Sequence, residues 1–228
     1  MSDFLRPLKD LRFKIFYGAL ICRRFPLITL GSHNCSWVLC PDGLNSNSVV
    51  YSGGVGRDIT FEHELVKKYG CQVVLFDPSP TGLETMSLPA NKIPQFKHHA
   101  VALAGQCGTL KFGKPIFEDE GSWHKQQIGE NTAALEVPCV DLSTFMRQNG
   151  HDHIDLLKID IEGAEYEVID DLLKRQLPVK QILVEFHHQW LDGVTRNQTV
   201  RTILKLVAAG YRLTKKDGEN HSFLKPLR

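Results

Sequence analysis

Two short stretches of this sequence concentrate groups that take up or release protons. Asp160 and Glu162 stand two residues apart, where the apolar run Ile154 to Ile159 gives way to Gly163. Glu185, His187 and His188 stand at the end of a second run that begins at Gln181. A carboxylate or imidazole within hydrogen-bond reach of a hydroxyl can remove its proton as the oxygen attacks. Asp160, Glu162 and His187 are therefore the candidate catalytic residues. The same groups admit plainer roles. Asp160 or Glu162 could cap the helix that follows, with Glu165 in its first turn, and His187 could be a hydrogen-bonded strand-end histidine. Asp160, Glu185 and His187 also offer three donors to a divalent cation. No metal-ligand motif accompanies them, and a metal is the less favoured reading.

A second constellation points to a nucleoside. Ser52-Gly53-Gly54-Val55-Gly56 follows the apolar run Val49-Val50-Tyr51, and Asp77-Pro78 follows Gln72 to Phe76. Glycines let the backbone approach a ligand, and the next helix offers free N–H groups and a positive dipole end. Asp77 could accept hydrogen bonds from both ribose hydroxyls. Alternatively, Gly53-Gly54 is a tight turn without a ligand, and Asp77-Pro78 starts a helix with aspartate as N-cap. The dinucleotide fingerprint G-x-G-x-x-G would need glycine at position 59, which is Ile59. That disfavours a nicotinamide-dependent oxidoreductase and favours a cofactor without pyrophosphate, such as S-adenosylmethionine. A cofactor-binding module without catalysis is the remaining alternative.

Short apolar runs alternating with amphipathic segments must position these groups. Strands are predicted at Val49–Tyr51, Gln72–Asp77, Lys97–Leu103, Ile154–Asp160 and Gln181–His187, with helices near Ile59–Tyr69, Gly163–Arg175 and Arg196–Ala209. Continuous apolar strands between helices imply a parallel sheet covered on both faces, with the ligand crevice beyond the strands' carboxyl ends. Two final runs around Asp217-Gly218-Glu219-Asn220 read as a hairpin. Residues 1–46 read as a helical, partly irregular extension, 47–228 as the cofactor-binding domain, and Gly105 to Val137 as an insertion able to fold over a ligand.

At this point the residues resemble a known family. Leu157-Lys158-Ile159-Asp160-Ile161-Glu162-Gly163-Ala164-Glu165-Tyr166-Glu167 resembles the hallmark segment of FkbM-type methyltransferases. Val50 to Glu62 resembles the glycine motif of one branch, Phe76-Asp77-Pro78-Ser79-Pro80 its second motif and His99-Ala100-Val101-Ala102-Leu103 its third. The resemblance implies a Rossmann-like class I methyltransferase fold with strand order 3-2-1-4-5-7-6, a mostly parallel sheet closed by an antiparallel hairpin. It implies S-adenosylmethionine as donor and O-methylation of a sugar or secondary metabolite. It places Ser52, Gly53, Gly54, Val55, Gly56, Asp77, Pro78, Val101, Ala102 and Asp160 against the cofactor. Ser52 occupies the acidic position of the pattern (D/E)-x-G-x-G, so the amino-acid end must be held differently, with Asp58 a candidate. Ala104-Gly105 stands where many relatives carry an acid for the adenine amine.

Composition narrows the partners. The 228 residues carry a formal charge of +1, which is no electrostatic footprint for nucleic acid, and the 42% apolar content suits a sizeable core. Six scattered cysteines without a C-x-x-C pair argue against structural zinc and against a disulfide framework, and suit a reducing cytoplasm. Arg23, Arg24 and Pro26 interrupt the apolar stretch near the start, so no membrane span is expected, though a helix lying on a membrane surface stays open. The expected acceptor is a small molecule or glycan.

Overall fold

Apolar residues at consecutive positions can be buried only where both faces of a strand are covered. That is the situation of Ile154, Leu156, Leu157 and Ile159, all at zero exposure. The computed structural model describes residues 14–115, 121–126, 135–188 and 194–226. Its main sheet contains β3 (Val49–Gly53), β4 (Gln72–Phe76), β5 (Phe96–His99), β10 (Ile154–Ile159), β11 (Val179–Glu185), β12 (Arg212–Asp217) and β13 (Asn220–Leu224). Their order is β5-β4-β3-β10-β11-β13-β12. Counted along the chain within this sheet alone, that is 3-2-1-4-5-7-6. The strands from β5 to β11 run parallel, while β13 is antiparallel to both β11 and β12. The sheet is mixed, with a register shift between Leu213 and Lys215 that interrupts the pairing of β12 with β13.

Helices α2 (Thr60–Tyr69), α3 (Pro80–Ser87), α4 (Leu142–Asn149), α5 (Glu165–Arg175) and α6 (Arg196–Ala208) accompany the strands. Local chemistry sets their ends. Ser79, Asp141 and Thr195 cap α3, α4 and α6 through side-chain oxygens, and Gly70 and Gly150 close α2 and α4 in left-handed conformation. One core cluster lies around Tyr51, Leu157, Ile169 and Ile203, and another around Trp37, Phe61, Leu65 and Leu75.

Several expectations need correction. Residues 14–46 are more than the expected helical, partly irregular extension. Residues 14–20 belong to helix α1, and β1 (Ile28–Leu30) pairs antiparallel with β2 (Trp37–Leu39). Leu30, Trp37 and Leu39 then enter the second core cluster, so this segment is built into the domain. Three-residue strands are too short to show a period, which is why the sequence hid them. The third strand stops at His99, because Ala102–Leu103 (β6) leaves the main sheet. It joins β7 (Gly108–Gly113), β8 (His124–Lys125) and β9 (Leu135–Val140) in a second sheet of order β6-β9-β7-β8. The described residues of the expected insertion thus contribute strands to a small sheet with its own core of Ala102, Ala104, Phe112, Val137 and Cys139. No helix among the described residues is long and apolar enough to cross a membrane, and the six cysteines are free.

Candidate functional site

A cavity of about 730 Å³ opens at the carboxyl ends of β3, β4, β10 and β11, within the size range of small-molecule and cofactor sites. Gly54, Val55, Gly56, Asp58, Asp77, Pro78, Ala102, Asp160, Glu162 and His187 all line it. Three expected residues do not. Ser52 is buried with its hydroxyl donating to Glu62 Oε1 at 2.6 Å, turned toward α2 rather than the cavity. Gly53 is enclosed, since a Cβ there would meet Ile161 and Leu103 at 3.0 Å. Val101 packs against the larger core cluster.

The glycine turn has a definite shape and a definite cause. Gly54 has φ +82°, and a Cβ there would stand 1.8 Å from the Asp160 carbonyl oxygen. The turn is therefore pressed against the end of β10. Asp77 holds its other side: one carboxylate oxygen accepts from Val55 N (2.9 Å) and Gly56 N (3.2 Å), the other from Ser79 N (2.8 Å). The helix cap foreseen for Asp77 belongs instead to Ser79, with Pro80 opening α3. An ionised carboxylate offers about four lone-pair sites, so one remains after these three amides. Gly82 makes room for this arrangement, because a Cβ there would lie 2.3 Å from Asp77 Cγ. Asp58 is tied down too, accepting from Ser32 Oγ (2.7 Å) and Thr60 N (2.8 Å). Burial pushes its pKa up, but those hydrogen bonds outweigh it and the carboxyl titrates below its usual range.

Opposite the turn lie the acids and the imidazole. His187, with a side chain 7% exposed, hydrogen-bonds through Nδ1 to Glu165 Oε1 at 2.9 Å, and Glu165 is fully buried. Nε2 then faces the cavity, 3.3 Å from Glu162 Oε2 and 3.5 Å from Asp160 Oδ1. Burial alone would lower the His187 pKa, but Glu165, Glu162 and Asp160 together carry it well above the ordinary imidazole value. Burial pushes Glu162 up to about 7, against the pull of His187, with Asp160 and Glu165 adding to the rise. Burial and the Asp160 charge push Glu185 up to about 8. Such groups share protons as a set.

Asp160, Glu185 and His187 each present one donor atom, all within 4.8 Å of one another. A divalent cation there would have to displace the proton that the surrounding carboxylates hold on His187, because a protonated imidazole has no lone pair to give. Glu162 itself adopts φ +50°, an uncommon conformation for a residue with a side chain. Its carbonyl accepts from Lys125 N of β8 at 2.9 Å, and Glu165 accepts from Ile161 N and Gly163 N, so the loop is braced from both sides.

Asn34, Cys35 and Lys158 are not expected from the sequence, which leaves Trp123 and His124 open between structural and substrate-facing roles. Asn34 and Cys35, from the β1–β2 loop, form part of the wall, and Trp123 and His124 reach it from β8 and the residue before it. Lys158 lines the cavity although its neighbours in β10 are apolar. His188 turns away to Thr199 and Glu219, and His99 stacks on Phe76, so neither contributes.

Comparison with known proteins follows the same lines. The pattern of the "Methyltransferase FkbM domain" matches residues 49–213. "Probable methyltransferase-like protein 24" of Rattus norvegicus is 24% identical over 164 residues, 68% of this chain and 39% of that protein. Its Homo sapiens counterpart is 27% identical over 154 residues, 64% of this chain and 34% of that protein. The chain therefore spans well under half the length of either relative. Among solved structures, the fibrillarin pre-rRNA processing protein of Methanococcus jannaschii aligns with TM-score 0.43 and 10% identity over 80% of this chain and 69% of that one. M. jannaschii TYW2 in complex with AdoMet aligns with TM-score 0.38 and 10% identity over 90% of each.

Proposed function

This chain belongs to the FkbM methyltransferase family, and from that premise we propose that it transfers a methyl group from S-adenosylmethionine to a hydroxyl oxygen of a small-molecule or glycan acceptor. The observation that carries this reading is the shared cavity, with the glycine turn and Asp77 on one side and the Asp160–Glu162–His187 group on the other. The fit to the cofactor rests on this chain's own atoms. The Gly54–Gly56 turn exposes backbone where a side chain would obstruct, and Asp77 keeps one acceptor site for a ribose hydroxyl. Burial and the neighbouring Asp160 charge raise the pKa of Glu162 and Glu185, and a cationic ligand would favour their charged forms. When bound, the cofactor supplies a methyl on a positively charged sulfur, open to in-line displacement.

The residues then have three tasks. The walls align the acceptor oxygen with the methyl, which supplies much of the acceleration in a displacement of this kind. The carboxylate and imidazole group takes the hydroxyl proton as the oxygen attacks, with Nε2 of His187, which Glu165 orients toward the cavity, able to accept it once the ring has given up its own proton. The lining residues Gly121 to His124 have the task of limiting the access of water. Calorimetric titration of the purified protein with S-adenosylmethionine and NAD, followed by an acceptor screen with labelled methyl donor, tests the proposal. Binding of S-adenosylmethionine and transfer to a hydroxylated acceptor are expected. Binding of NAD alone would make it an oxidoreductase, and binding without transfer to any acceptor class would leave a cofactor-binding module.

A further inference from the structure

Lys158 is a cation where the sequence pattern calls for an apolar residue. It stands in β10 between Leu157 and Ile159, opposite Ser52 of β3, with its side chain 4% exposed. Removing an ammonium from water is costly unless its surroundings return the interaction. The return here is incomplete. Nζ makes one hydrogen bond among the described residues, to Gly54 O at 2.6 Å. The carboxylates of Asp160 and Glu62 stand at 3.9 and 4.0 Å, beyond hydrogen-bond reach, and the Trp37 ring lies at 5.5 Å. An ammonium has three donors, so two are left over on a residue that lines the cavity. Burial acts to strip the proton, but Glu62 and Asp160 outweigh it and keep the lysine charged. Glu62 mirrors this state: it is fully buried, one oxygen is used by Ser52, and Oε2 has no partner.

A lysine kept only for stability would have its donors closed by those carboxylates. This one holds the glycine turn with one donor and keeps the others beside the turn, 3.9 Å from an acid. A positive and a negative group at that separation are complementary to a zwitterion. On the reading that S-adenosylmethionine is the cofactor, we propose that Lys158 binds the carboxylate of the cofactor's amino-acid end, with Asp160 and the Gly54 carbonyl facing its ammonium. Asp160 then supplies the negative charge that Ser52, in the acidic position of the pattern and turned away from the cavity, does not.

The test compares S-adenosylhomocysteine with its decarboxylated analogue, which keeps the amine and lacks only the carboxylate, by calorimetry. In the wild type the analogue should bind roughly 10–100-fold more weakly, the range for a charge-assisted hydrogen bond. In Lys158→Met and Lys158→Gln that ratio should collapse toward one, while the analogue's own affinity changes little. Equal binding of both ligands by the wild type overturns the proposal without any variant having to fold. A preserved ratio in folded variants, or equal loss of both ligands, overturns it in favour of a structural lysine. A wild type that binds neither ligand refutes the cofactor reading beneath it, and the proposal falls with that reading.

Discussion

Glu162 combines two burdens at one position, a left-handed backbone and a carboxyl crowded by Asp160, Glu165 and desolvation. The left-handed conformation costs a residue with a Cβ about 1–2 kcal/mol, of which glycine's greater entropy loss cancels about half. Glu162→Gly should therefore leave the melting temperature unchanged or raised, while methyl transfer falls. A large drop in melting temperature would show that the carboxylate serves the fold. His187 carries the complementary prediction. Because its pKa lies above the ordinary imidazole value, the rate should still be climbing above pH 6.5, where an unperturbed imidazole has already lost its proton. Glu165→Gln removes the largest charge that raises it and should move that climb to lower pH. His187→Ala should lower turnover about 10²–10⁴-fold. Profiles of the three proteins that superimpose would exclude His187 as proton acceptor.

At the scale of elements, the glycine turn separates two functions that look alike in sequence. Gly54 abuts the Asp160 carbonyl, whereas a Cβ at Gly56 meets nothing within 4 Å. Gly54→Ala should thus fail to fold or melt far below wild type. Gly56→Ala should fold with a penalty of about 1–2 kcal/mol for its positive φ and lose cofactor affinity. Melting curves and titrations of the two variants check this, and a stable Gly54→Ala protein would mean that the turn is not pressed against β10.

What was legible follows from the same distinction between contact and order. The main strands and their helices announced themselves through long apolar runs and capping residues, and the chemistry at strand ends followed from the parallel sheet. The β1–β2 ribbon, β9 and α4 were not read, because their hydrophobic patterns are short or arise from pairing with distant partners. Two side chains singled out in the sequence have partners that it did not foresee. Asp77 faces backbone amides, and Ser52 faces Glu62. Nothing local in the sequence encodes those choices, which depend on how β3, β4 and α2 stack.

For the whole molecule, His221 ties the start of the described chain to its end. Buried in β13, it meets the Glu219 carbonyl through Nδ1 at 2.7 Å and the Tyr17 hydroxyl through Nε2 at 2.9 Å. A carbonyl can only accept, so Nδ1 carries the hydrogen and Nε2 receives one from Tyr17. The neutral ring is what the fold holds, and burial lowers its pKa to about 3. Between about pH 3 and the unfolded value near 6.5 the unfolded chain binds a proton that the folded one refuses, so stability rises with pH across that window and is lost as pH falls through it. The slope should approach 1.4 kcal/mol per pH unit from this group. Denaturation of wild type and His221→Gln from pH 4 to 7 should show that slope weakened in the variant. Equal slopes would place the acid sensitivity elsewhere.

The wall contributed by Asn34 and Cys35 lies outside the segment that defines the family, which begins at residue 49. Part of the cavity wall is thus shaped by a segment outside the family pattern. Two proteins with identical hallmark segments can shape their cavities differently through the preceding ribbon alone. Exchanging residues 28–39 for those of a relative is therefore expected to change ligand affinity while leaving the lining drawn from residues 49–213 unaltered.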